Sequence, residues 1–323
     1  MKRMLWITMF AVTVALFPSK ADVKLASLFS DHMVFQREAT AAIWGSAGAG
    51  EKVTVTASWG TEASTVAAAD GTWKTVLKTP VAGGPFTLTV KAANAIELTD
   101  VLVGDVWLCS GQSNMGMTVG SSKNAQEEIA AANYPRLRLL GVNLTTANDP
   151  QAECGVQAWA ECSPANVGRF SAAGYFFGRK LHQELDIPIG LINSSWGGTC
   201  IETWTPWASQ KDDPAMVAFK ESWDARDKAY DADADKARYE AERKVWDEWI
   251  KGGKQGAQPR WPRSPVRPKR DPNYPANLYN AMIHPLVPFG LRGAIWYQGE
   301  ANASPGTAYR VQLERLIVSW RQQ

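Results

Sequence analysis

The stretch GDVWLCSGQSNMGM, residues 104–117, decides the fold. Its apolar run over residues 106–109 predicts a buried strand, and the polar residues 110–114 that follow continue no strand pattern. Ligands of parallel α/β sheets bind beyond the carboxyl ends of the strands, so a serine on a tight turn there is placed to attack a substrate. We therefore predict Ser113 as a nucleophile, supported by Asn114. An ordinary polar loop between a strand and a helix would show the same pattern.

Two later segments repeat this arrangement of an apolar strand followed by a polar turn. The strand IPIGLIN, residues 187–193, runs into SSWGGT, residues 194–199, and the strand predicted over residues 291–297 runs into QGEAN, residues 298–302. Because parallel strands present their carboxyl ends at one edge of a sheet, the three turns should converge there. The second turn is equally compatible with the start of a helix that Thr199 or Thr203 caps.

Acyl transfer would use all three turns. Attack by the Ser113 hydroxyl on an ester carbonyl produces an oxyanion, which backbone amides and a neutral side-chain amide stabilise. The predicted donors are the backbone amides of Ser113 and Gly198 and the side chain of Gln298, with Gly197 beside them. Glu300 is predicted to orient the Gln298 loop rather than to act as a base.

The ordered motifs GDVWLCSGQSNM, SSWGGT and WYQGEAN resemble the sialate O-acetylesterase family of the SGNH (GDSL-like) hydrolase clan, which is related to acetylxylan esterases. SDHMVFQRE, residues 30–38, is similar to the N-terminal β domain of that group. The resemblance implies a three-layer α/β/α domain with a parallel sheet, Ser113 as nucleophile, Gly198 and Gln298 as oxyanion partners, and an O-acetylated sugar as substrate. Sialate is the first expectation. The alternatives are acetylxylan or another acetylated polysaccharide, or a non-catalytic glycan-binding protein.

The catalytic base is where the sequence departs from the clan. The clan takes its base from a C-terminal Asp-x-x-His motif, and a serine without a base is a weak nucleophile. None of the three histidines, His32, His182 and His284, has an Asp three residues before it. We therefore expect a C-terminally truncated relative with poor activity and an unpaired sheet edge, in which His182 bonds to a neighbour. Asp105 is expected to fix a turn.

The sequence predicts three consecutive segments, and the third contains an insertion. Residues 1–21 have the basic start, apolar run and small-x-small site of a signal peptide, which predicts an exported protein. Residues 22–100 alternate as short strands between Gly-containing turns, typical of a β-sandwich-like domain. Residues 101–323 form the hydrolase domain, incomplete at its C-terminus, and a charged helical insertion interrupts it at about residues 209–275.

Composition excludes several other classes of protein. The residues are 45% hydrophobic and 20% charged, with a net charge of +2, so no basic excess points to nucleic acid. Outside the signal no stretch approaches the ~20 apolar residues of a membrane span, so no membrane partner is expected after cleavage. No Cys or His spacing fits zinc, and serine acyl transfer needs no metal or cofactor.

Cysteines and tryptophans leave two further possibilities open. Cys154 and Cys162 flank a short loop that a disulfide could close in an exported protein. Fifteen tryptophans weakly favour a sugar ligand. Within the insertion, Trp246, Trp249 and Trp261 either form a rim for the substrate or pack against the parent domain.

Overall fold

The computed structural model describes residues 21–303 and 306–323, without the side chains of residues 306 and 307. The predicted signal peptide thus lies outside the described residues, apart from Ala21. The strands are β1 (Lys24–Leu25), β2 (Val34–Gln36), β3 (Thr40–Ser46), β4 (Lys52–Ala57), β5 (Thr61–Val66), β6 (Thr72–Lys78), β7 (Gly83–Lys91), β8 (Ala95–Gly111), β9 (Tyr134–Gly141), β10 (Ala160–Cys162), β11 (Ile189–Ser195) and β12 (Gly293–Tyr297). The α-helices are α1 (Ser113–Gly116), α2 (Ala125–Ala131), α3 (Ala172–Leu185), α4 (Pro214–Lys228), α5 (Ala232–Lys251) and α6 (Gly306–Arg321).

The N-terminal strands form two packed sheets. One sheet has the order β1-β3-β6, and the other runs β5-β4-β7 and continues into β8. Strand β4, KVTVTA, buries Val53 and Val55 and turns its threonines outward, as alternation in a one-sided sheet requires. These valines share a core with Ile43 of β3 and Trp73 of β6, so the two sheets pack face to face.

Strand β8 is continuous through residues 100 and 101, where the change of sequence pattern predicts a domain boundary. Its first part pairs antiparallel with β7, and its last part pairs in parallel with β11 and β12. The same strand therefore belongs to the β sandwich and to the hydrolase sheet.

The hydrolase domain has the predicted α/β/α architecture. Its sheet has the order β10-β9-β11-β8-β12, parallel except for β10. Neighbouring residues of β8 point to opposite faces: Cys109 shares a core with Tyr175 of α3, and Leu108 shares a core with Leu316 of α6. Because both faces are covered, residues 106–109 of the strand form an uninterrupted apolar run.

Two ion pairs, each with one buried partner, tie the sandwich to the hydrolase sheet. Arg37 follows β2 and donates from Nε to Asp105 Oδ1 at 2.9 Å, and Gln36 Nε2 donates to the same oxygen at 3.1 Å. Burial acts to raise the pKa of Asp105, but these hydrogen bonds outweigh it and hold the pKa below its usual value. Asp105 thus joins two strands instead of fixing a turn. Arg138 of β9 donates to Asp100 Oδ2 at 2.7 Å.

The charged insertion contains two helices, α4 and α5, where the sequence predicts one helix over residues 224–249. The chain breaks at residues 229–231 because Asp231 caps α5, accepting from the backbone N–H groups of Asp233 and Ala234 at 3.0 Å. The Asp227 carboxylate of α4 accepts hydrogen bonds from Nε and Nη2 of Arg267. These bonds fix the Pro-rich segment that follows α5.

No disulfide joins Cys154 and Cys162, and both thiols are free and buried. Cys154 packs in the core that contains the sandwich, and Cys162 packs in the core under α3, so the two side chains belong to different clusters. The suggested pairing is wrong for this reason. Among the described residues, no helix combines the length and the hydrophobicity that crossing a bilayer demands.

Candidate active site

The three predicted turns meet at one edge of the hydrolase sheet. In the parallel pairing, Gly111 at the end of β8 lies opposite Ser195 of β11 on one side and Tyr297 of β12 on the other. The turns that follow these three residues carry Ser113, Gly197 and Gln298. The convergence expected from the sequence is therefore present.

Gly111 holds the turn before Ser113 between its two neighbours. The Gly111 carbonyl accepts from the Trp196 N–H at 3.0 Å, and the Gln112 N–H donates to the Tyr297 carbonyl at 3.0 Å. Gly111 has a φ of +141°, and a Cβ atom there would lie 2.1 Å from the Tyr297 oxygen. Only glycine fits at residue 111, and the two hydrogen bonds hold the backbone that leads to Ser113 in place.

Ser113 is exposed, and the glycine turn approaches it closely. A Cβ atom on Gly197 would lie 3.4 Å from Ser113 Cβ, so the glycine leaves this side of the serine open. The next residue, Gly198, has a φ of +74°, and a Cβ atom added there would meet no other atom within 4 Å. The Gly198 carbonyl accepts from Asn273 Nδ2 at 3.2 Å. The two glycines thus shape an accessible backbone surface beside the hydroxyl.

Glu300 bonds to both neighbours of Ser113. Its carboxylate accepts from Gln112 Nε2 at 2.6 Å and from Asn114 Nδ2. Glu300 is part of the loop that carries Gln298, so these hydrogen bonds fix that loop against the serine turn. Its predicted role in orienting Gln298 stays a prediction. Glu300 connects the third turn to the first.

Gln298 is held by protein acceptors. Its Nε2 atom lies 2.6 Å from Asn302 Oδ1, 3.1 Å from the Thr199 carbonyl oxygen and 3.4 Å from Gln112 Oε1. Both amide hydrogens thus have acceptors, while Gln298 Oε1 is buried without a hydrogen-bond partner among the described residues. The reverse amide orientation would place an oxygen against three oxygens, so this one is fixed.

Asn302 and Tyr309 are parts of the site for which the sequence suggests no role. Asn302 Nδ2 donates to both carboxylate oxygens of Glu202, at 3.1 and 2.9 Å, so its Oδ1 must face Gln298. Tyr309 of α6 donates to the Gln298 carbonyl at 2.8 Å. Asn302 closes the motif WYQGEAN, which gave a signal for it, whereas Tyr309 stands on a helix with no motif.

An open cleft of about 580 Å³ lies beside Ser113. Its rim includes Met117, Leu144 and Trp196, which are apolar and partly or largely exposed. The described residues that line the cleft carry no charge: Ser113, Asn114, Gly116, Met117, Thr118, Ser121, Leu144, Ser195, Trp196 and Gly197.

All three histidines are engaged away from Ser113. His32 Nδ1 lies 2.7 Å from Asp100 Oδ2, His182 Nδ1 lies 2.7 Å from the Ile187 carbonyl, and His284 Nδ1 lies 2.9 Å from the Gln151 carbonyl. His182 thus bonds to a neighbour, as expected. Among the described residues, no histidine hydrogen-bonds to the serine hydroxyl.

One group of side chains has the composition of a metal site. His32, Asp100 and Glu161 bring their ligand atoms within 4.8 Å of one another. Arg138 donates to Asp100 at 2.7 Å and lies 3.6 Å from Glu161, so its guanidinium supplies the positive charge that these carboxylates need. The group therefore fits an ion-pair network better than a metal ion.

Residues 103–234 match the family model described as carbohydrate esterase, sialic acid-specific acetylesterase. Over 93% of its length the chain is 36% identical to the sialate O-acetylesterase of Rattus norvegicus and 34% identical to that of Homo sapiens. It covers 56% and 53% of those two proteins. The chain thus spans little more than half the length of the curated relatives it matches.

A solved structure shows the same relationship. A novel carbohydrate acetylesterase from Xanthomonas citri superposes with a TM-score of 0.73 at 32% identity, covering 93% of this chain and 57% of that one. The stretch matched by the family model contains the serine turn and the glycine turn, and the sequence relatives extend the match to nearly the whole chain. The chain is therefore similar to sialate O-acetylesterases over 93% of its length, and residues 103–234 match the model of that carbohydrate esterase family.

Proposed function

We propose that the protein is a carbohydrate O-acetylesterase that works by serine acyl transfer. The observation that carries the proposal is the exposed Ser113 at the end of β8, with the Gly197 backbone close beside it and Glu300 bonded to both of its neighbours. A serine at such a strand end is the position from which hydroxyl nucleophiles attack in α/β hydrolases. The acetyl ester and the sugar in this proposal are inferred from the names of its relatives.

In the proposed reaction, Ser113 Oγ bonds to the acetyl carbonyl carbon while its proton passes to a base. The oxyanion then receives hydrogen bonds from the backbone N–H groups of Ser113 and Gly198. When it collapses, the C–O bond to the sugar breaks and the sugar oxygen takes the proton back from the base, leaving as a hydroxyl. Water attacks the acetyl-enzyme and releases acetate, which restores Ser113.

Gln298 is the proposed third donor to the oxyanion. Its two amide hydrogens point to Asn302 and to the Thr199 carbonyl, at 2.6 and 3.1 Å. The bond to Thr199 is the longer one, so an oxyanion would compete for that hydrogen while Asn302 keeps the other. Glu202, which fixes Asn302, thereby fixes the direction of the competing hydrogen.

No histidine of the described residues is bonded to Ser113 as a base. His32, His182 and His284 all bond elsewhere, and the 323 residues contain no Asp-x-x-His motif. A serine hydroxyl attacks an ester efficiently only when a base takes its proton.

A serine-directed fluorophosphonate tests the nucleophile, with intact-mass spectrometry to count adducts and peptide mapping to locate them. One slow adduct on Ser113 is expected, and Ser113→Ala should lose it. Ser121→Ala is the matched control, because Ser121 lines the same cleft and bonds to Thr118 rather than to the Ser113 turn. Labelling on another residue, or none, would favour the non-catalytic glycan-binding alternative.

Sialate is the proposed sugar, and a neutral acetylated polysaccharide such as acetylxylan is the second candidate. The family description favours sialate. The second candidate is favoured by the cleft itself, whose described lining residues carry no cation to meet a sialate carboxylate. Acetate release from O-acetylated sialic acid and from acetylated xylan, measured side by side with Ser113→Ala, separates them.

Export is also a proposal, and it depends on residues 1–21. Mass spectrometry of the mature protein should find Asp22 as its first residue. A mature protein that retains Met1 would contradict export by a cleaved signal.

A further inference from the structure

Trp261 is an unusually exposed tryptophan on the insertion. Its side chain is 65% exposed, and no other tryptophan among the described residues is more than partly exposed. Trp159 and Trp204, by contrast, are 2% and 0% exposed. An exposed indole does not contribute the free energy that burial of its large apolar surface would give. An exposed tryptophan is therefore a candidate for binding a ligand.

The indole is held in place by two other tryptophans. Trp261 packs edge-to-face on Trp246 of α5, with ring centroids 4.7 Å apart, and Trp246 contacts Trp249 one turn further along at 5.2 Å. Aromatic pairs at such distances stabilise one relative orientation of the rings. The exposed ring is therefore preorganised rather than free to rotate.

The segment that carries Trp261 is fixed to the helices on its C-terminal side. Arg238 of α5 donates to the Arg263 carbonyl at 3.4 Å, and Arg267 forms a two-donor ion pair with Asp227 of α4. Residues 263–267 are thus tied to both helices, and the indole projects from a backbone with anchored contacts. Binding a ligand there would cost little ordering of the chain.

Two arginines flank the indole in the sequence, and both are exposed. Neither Arg260 nor Arg263 forms a salt bridge with a described residue through its side chain, unlike Arg238 and Arg267. Glu242 of α5 is paired with Arg238 at 2.8 Å. Exposed arginines that flank an aromatic residue in the sequence can form hydrogen bonds to a ligand carboxylate when the ring contacts an apolar sugar face.

We propose that Trp261, with Arg260 and Arg263, forms an accessory site that binds an acidic sugar residue by stacking on the indole and pairing with its carboxylate. The site is distinct from the cleft beside Ser113, whose lining residues come from residues 113–121, 144 and 195–197. It would hold an acidic glycan on the enzyme while the uncharged cleft receives the acetyl ester.

Calorimetric titration with sialyllactose, and with lactose as the neutral parent, tests the site. The acid sugar should bind and lactose should bind more weakly. Trp261→Ala should weaken sialyllactose binding by about tenfold or more, Trp261→Tyr should recover part of the loss, and Arg260→Gln with Arg263→Gln should lower the affinity to that of lactose. Because Trp261 is exposed, these variants should unfold at the same denaturant concentration as the parent.

Controls separate this site from the catalytic cleft and from self-association. Val81→Ala, which changes a side chain 67% exposed on the sandwich, should bind as the parent does, and sialyllactose carries no acetyl ester for the enzyme to cleave. A failure of the proposed esterase activity therefore leaves this result readable. The proposal would be overturned by equal binding of both sugars, by binding that Trp261→Ala does not affect, or by no binding. A dimer that Trp261→Ala abolishes and sialyllactose does not dissociate would also overturn it.

Discussion

The two parts of strand β8 differ in how their side chains are buried. Over Ala95–Asp100 exposed and more buried residues alternate, because one face of the strand packs on the sandwich core and the other meets solvent. Over Val101–Gly111 nearly every residue is buried, because the strand has neighbours on both edges and layers on both faces. The first part should therefore tolerate substitutions on its solvent face, whereas a substitution on either face of the second part changes a buried contact.

Gly111→Ala should give the largest effect at the crowded end of the strand. The new Cβ would meet the Tyr297 carbonyl at 2.1 Å and would require a φ of +141°, so the free energy of unfolding should fall by about 3 kcal/mol or more. Gly198→Ala is the matched control, since its φ of +74° is also positive but no atom is near, and it should cost only about 1 kcal/mol. Urea titration followed by circular dichroism measures both. Equal losses would show that crowding at Gly111 is absent.

Leu108→Ala and Ile96→Ala compare the two parts directly. Leu108 is 3% exposed and packs between β8 and α6, so its truncation should cost about 3 kcal/mol. Ile96 is only partly buried on the sandwich side and should cost about 1 kcal/mol. Urea midpoints at constant m-value give the two numbers, and a larger loss for Ile96→Ala would reverse the comparison.

Asp105→Asn tests the charge buried in the second part of the strand. The pKa of Asp105 lies below its unfolded value, because the hydrogen bonds from Arg37 and Gln36 outweigh the burial that acts to raise it. The ion pair thus stabilises the fold above about pH 4, and this contribution disappears as the pH falls through the lowered pKa. At pH 7 the variant should lose about 2 kcal/mol, and at low pH it should approach the parent. Parallel stability curves against pH would contradict this.

The smallest effect should come from a reductant. Cys154 and Cys162 pack in different cores, so dithiothreitol should shift the unfolding free energy by less than about 0.5 kcal/mol. Burial raises the pKa of Cys154 to about 11 and that of Cys162 to about 12, so thiol reagents should react slowly with the folded chain. A large destabilisation by the reductant would mean that a disulfide forms.

Most of the hydrolase layer could be predicted from the sequence, because burial on both faces leaves uninterrupted apolar runs. The runs ending at Cys109, Asn193 and Tyr297 each mark a strand, and the polar turns after them mark one edge of the sheet. The continuity of β8 could not be predicted, since a change from alternation to an apolar run looks like a boundary whether or not the chain turns there. The cap at Asp231 was equally hidden within a run of charged residues.

The convergence of the three turns at one sheet edge was predictable, and their hydrogen bonds were not. Motif position pointed to Ser113, Gly198 and Gln298, whose roles remain predictions. The partners of Glu300 and Gln298 depend on how three turns lie across one another, over separations of about one hundred to two hundred residues. No local pattern encodes such a contact, so the hydrogen-bond partners of Glu300 could not be predicted.

The unbroken course of β8 also limits how this protein can be rebuilt. A sandwich transplanted from a relative at residue 100 would have to match the register of β2 and β7 and, through the same backbone, that of β11 and β12. A shift of one residue would turn Leu108 and Cys109 to each other's faces and carry Ser113 away from Gly197. Chimeras should therefore exchange the loops of the sandwich and leave this strand intact.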